Sequence, residues 1–462
     1  MSRRNLCWTF VVVAMALAGL AAQESPQGPQ RIAIRAGRLL DGTANPAIDN
    51  AVIIVAGERI EAVGPAASVA IPDGAKVIDL SADTVMPGLI NGHEHPTVRA
   101  YVGNEDPRHE GRNSLIQQLN MMDEPPAMQA ARGVRDLRVE LMCGVTTAYV
   151  VGELQYNDVY LKKAADAGVF PSPRLYLSGP WITTTGGYYP FPQTDGPWDL
   201  RRMVRRNIEA GAHHIKIVVN HGGMASGPAN GRPFAGTNWT DEEMRAVVDE
   251  AHRLGVKVTA HAGDAIAEKQ ALEAGVDSIQ HASVLTPEII NLFVQRKASI
   301  VSTAGAGQGF FQQSDFRYMD TEANSAADWI GYARKLVQGG RSLQGGRAAP
   351  DPQRQQARYA ELRAARDRGV PIAVGNDNMV GLLHLDIYHL VDAGFTPSQA
   401  IYAATGGGAK ALGIDRDVGT LEKGKFADII SIKGKPDQNI LDLEKVNFIM
   451  VGGRDYTGLT FR

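Results

Sequence analysis

"IEAGAHHIKIVV", residues 208–219, ends a helical segment at a glycine and passes directly into a short run of Ile and Val. The glycine suits the left-handed position that closes a helix, and the run after it reads as a buried strand. The same junction recurs at "LMCGVTTAYVV" (141–151), "AADAGVFPSPRLYLSG" (164–179), "AHRLGVKVTAH" (251–261), "ALEAGVDSIQHAS" (271–283) and "ARDRGVPIAVGND" (365–377). With strands expected at "VMPGLINGHEH" (85–95) and "ASIVST" (298–303), the chain holds eight candidate strands alternating with helices. That count predicts an α/β fold with a parallel barrel of the TIM type, (β/α)8. A doubly wound open sheet shares the alternation, but it carries a phosphate-binding glycine turn after its first strand, and no G-x-G-x-x-G occurs there. Helix starts agree: Thr240 with Glu243 spells a capping box, and Thr286 with Pro287 opens the next helix.

Both flanks read differently. Residues 31–85 alternate in short strands with turn signals, as do "GKFADIISI" and "VNFIMVGG" near the C-terminus. The two ends are expected to pair into one small β-sandwich (31–85 and 416–462) beside the barrel (86–415). Residues 304–350 read as a long Gly/Gln-rich insertion, of a length usual for lids. At the N-terminus Arg3 and Arg4 precede the apolar run "CWTFVVVAMALAGLAA", too short for a strong membrane span, so residues 1–22 are read as a signal peptide. Periplasmic or secreted protein is expected, through an ordinary secretory signal or, given "SRRNL", twin-arginine export. Cys143 is then the one cysteine left, and no intramolecular disulfide can form. A formal net charge of −3 offers no basic footprint for nucleic acid.

The chemistry starts from Lys216. In "HHIKIVV" Ile215, Ile217 and Val219 share one face, and His214, Lys216 and Val218 share the other. In a barrel the second face points inward, where an ammonium must be paired, neutral or modified. The other strands end in matching chemistry: His93 and His95 in "NGHEHP", His261 in "VTAHAG", His281 in "SIQHAS" and Asp377 in "AVGNDN". All fall at the C-terminal rim, where such barrels keep their sites. Four imidazoles and a carboxylate suit a divalent transition metal. A buried neutral amine can also take up carbon dioxide to give a carbamate, whose two oxygens can bridge two ions.

These motifs, "PGLINGHEHP", "IKIVVNHGG", "AHAGD", "SIQHAS" and "VGND", with the late "GTLEKGKFADI", resemble the amidohydrolase superfamily, in particular its prolidase-like, carboxypeptidase-like and imidazolonepropionase-like branch. The resemblance covers nearly the whole mature chain. It implies two divalent ions, zinc by expectation, with His93 and His95 on one, His261 and His281 on the other, carboxylated Lys216 between them and Asp377 on the first. It further implies hydrolysis of an amide or peptide bond by attack of a hydroxide shared between the ions, with Asp377 as general base.

Asn91 departs from the family pattern, which usually has Asp there. Tyr188 and Tyr189 stand where similar proteins often have a histidine after Thr-Gly-Gly; they are candidate substrate contacts, through a hydroxyl on the oxyanion or as the wall of an apolar pocket. His221 either binds substrate or hydrogen-bonds the glycine turn. The leading expectation is an exported dipeptidase, prolidase or N-acyl amino acid amidase acting on a small molecule or short peptide, and a homo-oligomer. A cyclic amidase or lactonase, or a single-ion imidazolonepropionase-like hydrolase, is the alternative among enzymes. A silent binding module is disfavoured because all six ligand positions are filled.

Overall fold

The structure is a computed structural model that describes residues 30–97, 124–187, 193–219, 237–304, 318–338, 352–377 and 379–460. The expected signal peptide, Tyr188, Tyr189 and His221 lie outside the described residues. Alternating apolar residues first form β1 (Arg31–Leu39), β2 (Ile48–Ala56), β3 (Arg59–Pro65) and β4 (Lys76–Pro87). The chain then alternates: β5 (Leu89–Glu94), α1 (Pro126–Met142), β6 (Val145–Val150), α2 (Asn157–Asp166), β7 (Arg174–Tyr176), α3 (Pro197–Ala210), β8 (His214–Val218) and α4 (Asp241–Arg253). It continues through β9 (Lys257–His261), α5 (Ala265–Ala274), β10 (Ser278–Gln280), α6 (Pro287–Arg296), β11 (Ser299–Ser302), α7 (Ala326–Gln338), α8 (Pro352–Asp367) and β12 (Ile372–Val374). Helices α9 (Leu383–Asp392), α10 (Pro397–Ala403) and α11 (Gly406–Leu412) precede β13 (Ile429–Ile432), β14 (Val446–Val451) and β15 (Arg454–Asp455).

Among the described residues, β5–β12 are parallel and neighbour one another in chain order, β5-β6-β7 in one sheet and β8-β9-β10-β11-β12 in another. The expected closed barrel is thus described as an α/β array of two ladders. Strands β7 and β12 pair with β6 and β11 on one side, and at the seams the pairing falls on residues beyond their ends. Single parallel bridges stand there, Ile182 with Ile217 and Glu94 with Asp377. The six junction glycines all have positive φ, from 74° to 117°. At the α6–β11 junction Lys297 takes that conformation instead, at φ 55°. The capping box at Thr240 and Glu243 is formed, and the Thr286 hydroxyl accepts from the Ile289 amide.

Strand β8 divides its faces as its sequence requires. Ile215, Ile217 and Val219 are fully buried in one core with Val204 of α3 and Val247 and Val248 of α4. Burying each such side chain contributes about 1.5–3 kcal/mol. On the other face His214 stacks on Tyr149 of β6, ring centroids 3.7 Å apart, and Lys216 is buried.

The insertion at 304–350 differs from the expected irregular loop, because α7 occupies its middle. "DWIGYARKLV" presents Trp329, Ile330 and Ala333 on one helical face, and these bury against Val139, Met142 and Leu385. The two chain ends do share a sheet, in the order β15-β14-β13-β4-β1-β2-β3. It is joined where β13 runs antiparallel to β4, with Ile429 opposite Pro87. No helix among the described residues is long and apolar enough to cross a membrane.

Candidate metal centre

The predicted ligands lie on or just after parallel strands: His93 near the end of β5 and His95 after it, Lys216 in the middle of β8, His261 at the end of β9, His281 after β10 and Asp377 after β12. The Asp377 amide donates to the His93 carbonyl at 2.9 Å, bringing the last strand to the first. One ligand atom each from His93, His95 and Asp377 lies within 4.8 Å of the others, an arrangement able to hold a metal ion. Asp377 Oδ1 is 3.8 Å from His93 Nε2 and 3.9 Å from His95 Nε2, and those two nitrogens are 3.1 Å apart. The His281 ring bridges to the second pair, its centroid 4.7 Å from that of His93 and 4.6 Å from that of His261.

The ring nitrogens facing away from the centre are held. His93 Nδ1 meets Gln280 Oε1 at 2.8 Å, His95 Nδ1 meets the Gly152 carbonyl at 2.8 Å and His281 Nδ1 meets Thr303 Oγ1 at 2.7 Å. Gln280 Nε2 donates to Thr259 Oγ1 at 2.7 Å, which leaves Oε1 as the acceptor toward His93. His93 and His95 therefore carry their protons on Nδ1 and offer Nε2, as outer-shell partners of metal-binding histidines do.

Electrostatics suit the same purpose. Burial holds His95 and His261 down at about 3, with the Lys216 charge adding to it. Burial and nearby positive charges, Lys216 among them, hold His93 and His281 well below the ordinary imidazole value. All four are neutral near pH 7, the state in which imidazole binds metal. Burial also brings Lys216 down to about 7 against the attraction of Asp377, and pushes Asp377 up to about 6 against the attraction of Lys216. The chemistry of this donor set, neutral imidazoles, a carboxylate and an amine on the edge of neutrality, fits divalent ions.

Several contributors were not singled out from sequence. Glu94 sits between the two ligand histidines and is buried with Asn91, Glu140 and Asn376. The Asn91 amide donates to the Glu94 carboxylate and to Asn376 Oδ1, the latter at 2.7 Å. Asn91 Oδ1 accepts from the His93 and Asn376 amides, both at 3.2 Å. A carboxylate at position 91 would instead face that of Glu94, which accounts for the departure from Asp. Period-2 alternation places Gln280 inward, the only hint of its role. Trp181, which the sequence places in an aromatic cluster with Tyr188, Tyr189 and Phe191 suited to a bulky or aromatic substrate, stands edge-on to His95, centroids 5.9 Å apart. Of the other histidines, His252 pairs with Asp277 at 2.8 Å, His389 with the Tyr359 hydroxyl at 2.6 Å, and His213 accepts from the Leu177 amide at 3.1 Å.

Comparison with known proteins matches residues 84–455 to the Amidohydrolase family. Ochratoxinase from Aspergillus niger is 25% identical over 463 residues, covering 92% of this chain and 86% of that protein. The crystal structure of a Xaa-Pro dipeptidase with bound methionine in the active site is similar with a TM-score of 0.72 at 27% identity, covering 93% of this chain and 100% of that chain. The crystal structure of A. niger ochratoxinase shares the fold, with a TM-score of 0.70 at 23% identity over 94% of this chain and 96% of that one.

Proposed function

The chain belongs to the amidohydrolase family, and from that premise we propose that it is a two-ion metal hydrolase of an amide or peptide C–N bond in a small molecule or short peptide. The carrying observation is the convergence of His93, His95 and Asp377, with His281 linking them to His261, at the ends of parallel strands. We read the two ladders as one (β/α)8 barrel, with the sheet of the chain ends as its companion domain, and residues 1–22 as an export signal.

His93 and His95 with Asp377 would hold one ion and His261 with His281 the other. Lys216 would lie between them as the carbamate: its nitrogen lone pair attacks carbon dioxide, the N–C bond forms as one C=O π pair moves onto oxygen, and the nitrogen's proton passes to solvent water. Divalent ions, zinc by expectation, supply on binding an acidified water and an electrophile for the scissile carbonyl oxygen. Asp377 takes the proton of the attacking water and passes it to the leaving nitrogen. A carboxylate beside the attacking water can both accept that proton and return it to the leaving nitrogen.

The similarity to a Xaa-Pro dipeptidase puts dipeptides and N-acyl amino acids first among substrates. The test is a panel of dipeptides (Xaa-Pro included), N-acyl amino acids, lactones and cyclic ureides, run on wild type and Asp377→Asn. Turnover of open-chain amides in wild type, lost in the variant, is expected. Turnover of lactones alone would reject the amide reading, and unchanged turnover in Asp377→Asn would reject the assigned base.

A further inference from the structure

The turn His281–Leu285 that follows β10 is held in an unfavourable backbone form by side chains from two helices. His281 and Ala282 have φ of 72° and 45°, although neither is glycine. A β-carbon disfavours that region, and the conformation persists only where its surroundings over-determine it. Here the surroundings are identifiable. Arg358 of α8 donates from its guanidinium to the His281 carbonyl at 2.9 Å. The Val284 amide donates to Glu268 of α5 at 3.1 Å, and the Leu285 amide donates to Glu361 of α8 at 3.2 Å. Glu268 is fully buried, and burial pushes its carboxyl up to about 8 against the pull of the Val284 amide and the Arg358 guanidinium. The Val301 carbonyl accepts from the His281 amide at 3.0 Å, so both main-chain polar groups of that ligand are occupied.

We infer that Arg358 is a positioning residue for His281, holding its carbonyl so that the backbone stays left-handed and the imidazole stays against His261 and His93. The inference rests on the two-ion reading of the site. Arg358 touches none of the reacting groups; it acts through His281. Its planar fork offers a fixed direction for the bond to the carbonyl, which a methionine of similar length cannot. Without it the turn relaxes toward negative φ, and the His281 ring leaves the second pair of ligands while the first cluster stays.

The test compares wild type, Arg358→Met and Arg358→Lys in three measurements. Crystal structures of metal-free protein read the φ of residue 281 and the ring position. Zinc titration reads ions per chain and the affinity of the weaker site. Steady-state kinetics on the best amide substrate splits kcat from KM. In Arg358→Met residue 281 is expected to leave the left-handed region, the weaker site to lose about 10- to 100-fold in affinity and kcat to fall with KM nearly unchanged, with excess zinc restoring it. Arg358→Lys, which keeps one donor, should recover part of each effect. An unmoved His281 ring with wild-type zinc affinity in both variants would overturn the inference, even if both variants melt earlier. Wild type binding a single ion would reject the two-ion reading, while the crystal structures would still decide whether Arg358 holds His281.

Discussion

Carbon dioxide reacts with a lysine only as the neutral amine, so the position of Lys216 makes a quantitative demand. Burial brings this amine from an ordinary 10.5 down to about 7. Near pH 7 about half of the metal-free chains therefore carry the neutral form, against roughly 1 in 3,000 for an exposed lysine. The sign is fixed: the neutral fraction rises with pH, from about one-tenth at pH 6 to about nine-tenths at pH 8. Metal-free protein is exposed to 13C-labelled carbon dioxide at one dissolved concentration across a pH series, and the initial rate of carbamate formation is followed by 13C NMR. Lys216→Arg serves as the blank. The expected rate profile is sigmoid with its midpoint near pH 7, and its signal is absent from the blank. A midpoint above about pH 9, the range of exposed lysines, or an equal signal in Lys216→Arg, would refute the reasoning.

Other perturbations address the supports of the centre. A β-carbon on Gly375 would lie 2.4 Å from His93 Cβ and 2.6 Å from the His93 amide nitrogen. Gly375→Ala should therefore cost about 1–3 kcal/mol in chemical denaturation and lower kcat by displacing His93, and wild-type kcat would show that β5 and β12 do not meet as described. Asn91→Asp places a carboxylate against Glu94 and removes two donated hydrogen bonds. Its stability should fall by on the order of 3 kcal/mol, and adding Glu94→Gln should return most of that loss; a single variant as stable as wild type would contradict the network. Gln280→Leu should weaken zinc affinity about 10- to 100-fold by freeing His93 Nδ1, read by competition with a chelator. Unchanged affinity would mean that the contact with Gln280 does not orient the ring.

The positions of the strands were legible because their signals are local. A glycine that ends a helix and a following Val/Ile run lie within one short window, and every such junction has the left-handed backbone it implies. The junction before β11 lacks a glycine, yet Lys297 adopts the same conformation, so there the apolar strand alone carried the signal. The convergence of His93, His95 and Asp377 was legible for a related reason: strand ends converge in a parallel array, so residues far apart in sequence share one rim. What sequence did not disclose depends on contacts across the fold. Gln280 reaches His93 over 187 positions, and Arg358 reaches the His281 carbonyl over 77; neither pairing has a spacing rule. Helix α7 was masked by its Gly/Gln-rich flanks, though its apolar face was present in "DWIGYARKLV". The ladder seams could not be read from sequence because they depend on where two three-residue strands stop pairing.

Metal content per chain, measured by elemental mass spectrometry on purified wild type and Lys216→Ala, tests the two-ion centre most directly. About two ions in wild type, falling to one or none in the variant, is the expected result. One ion in wild type, unchanged in Lys216→Ala, would contradict it and make the lysine a structural residue.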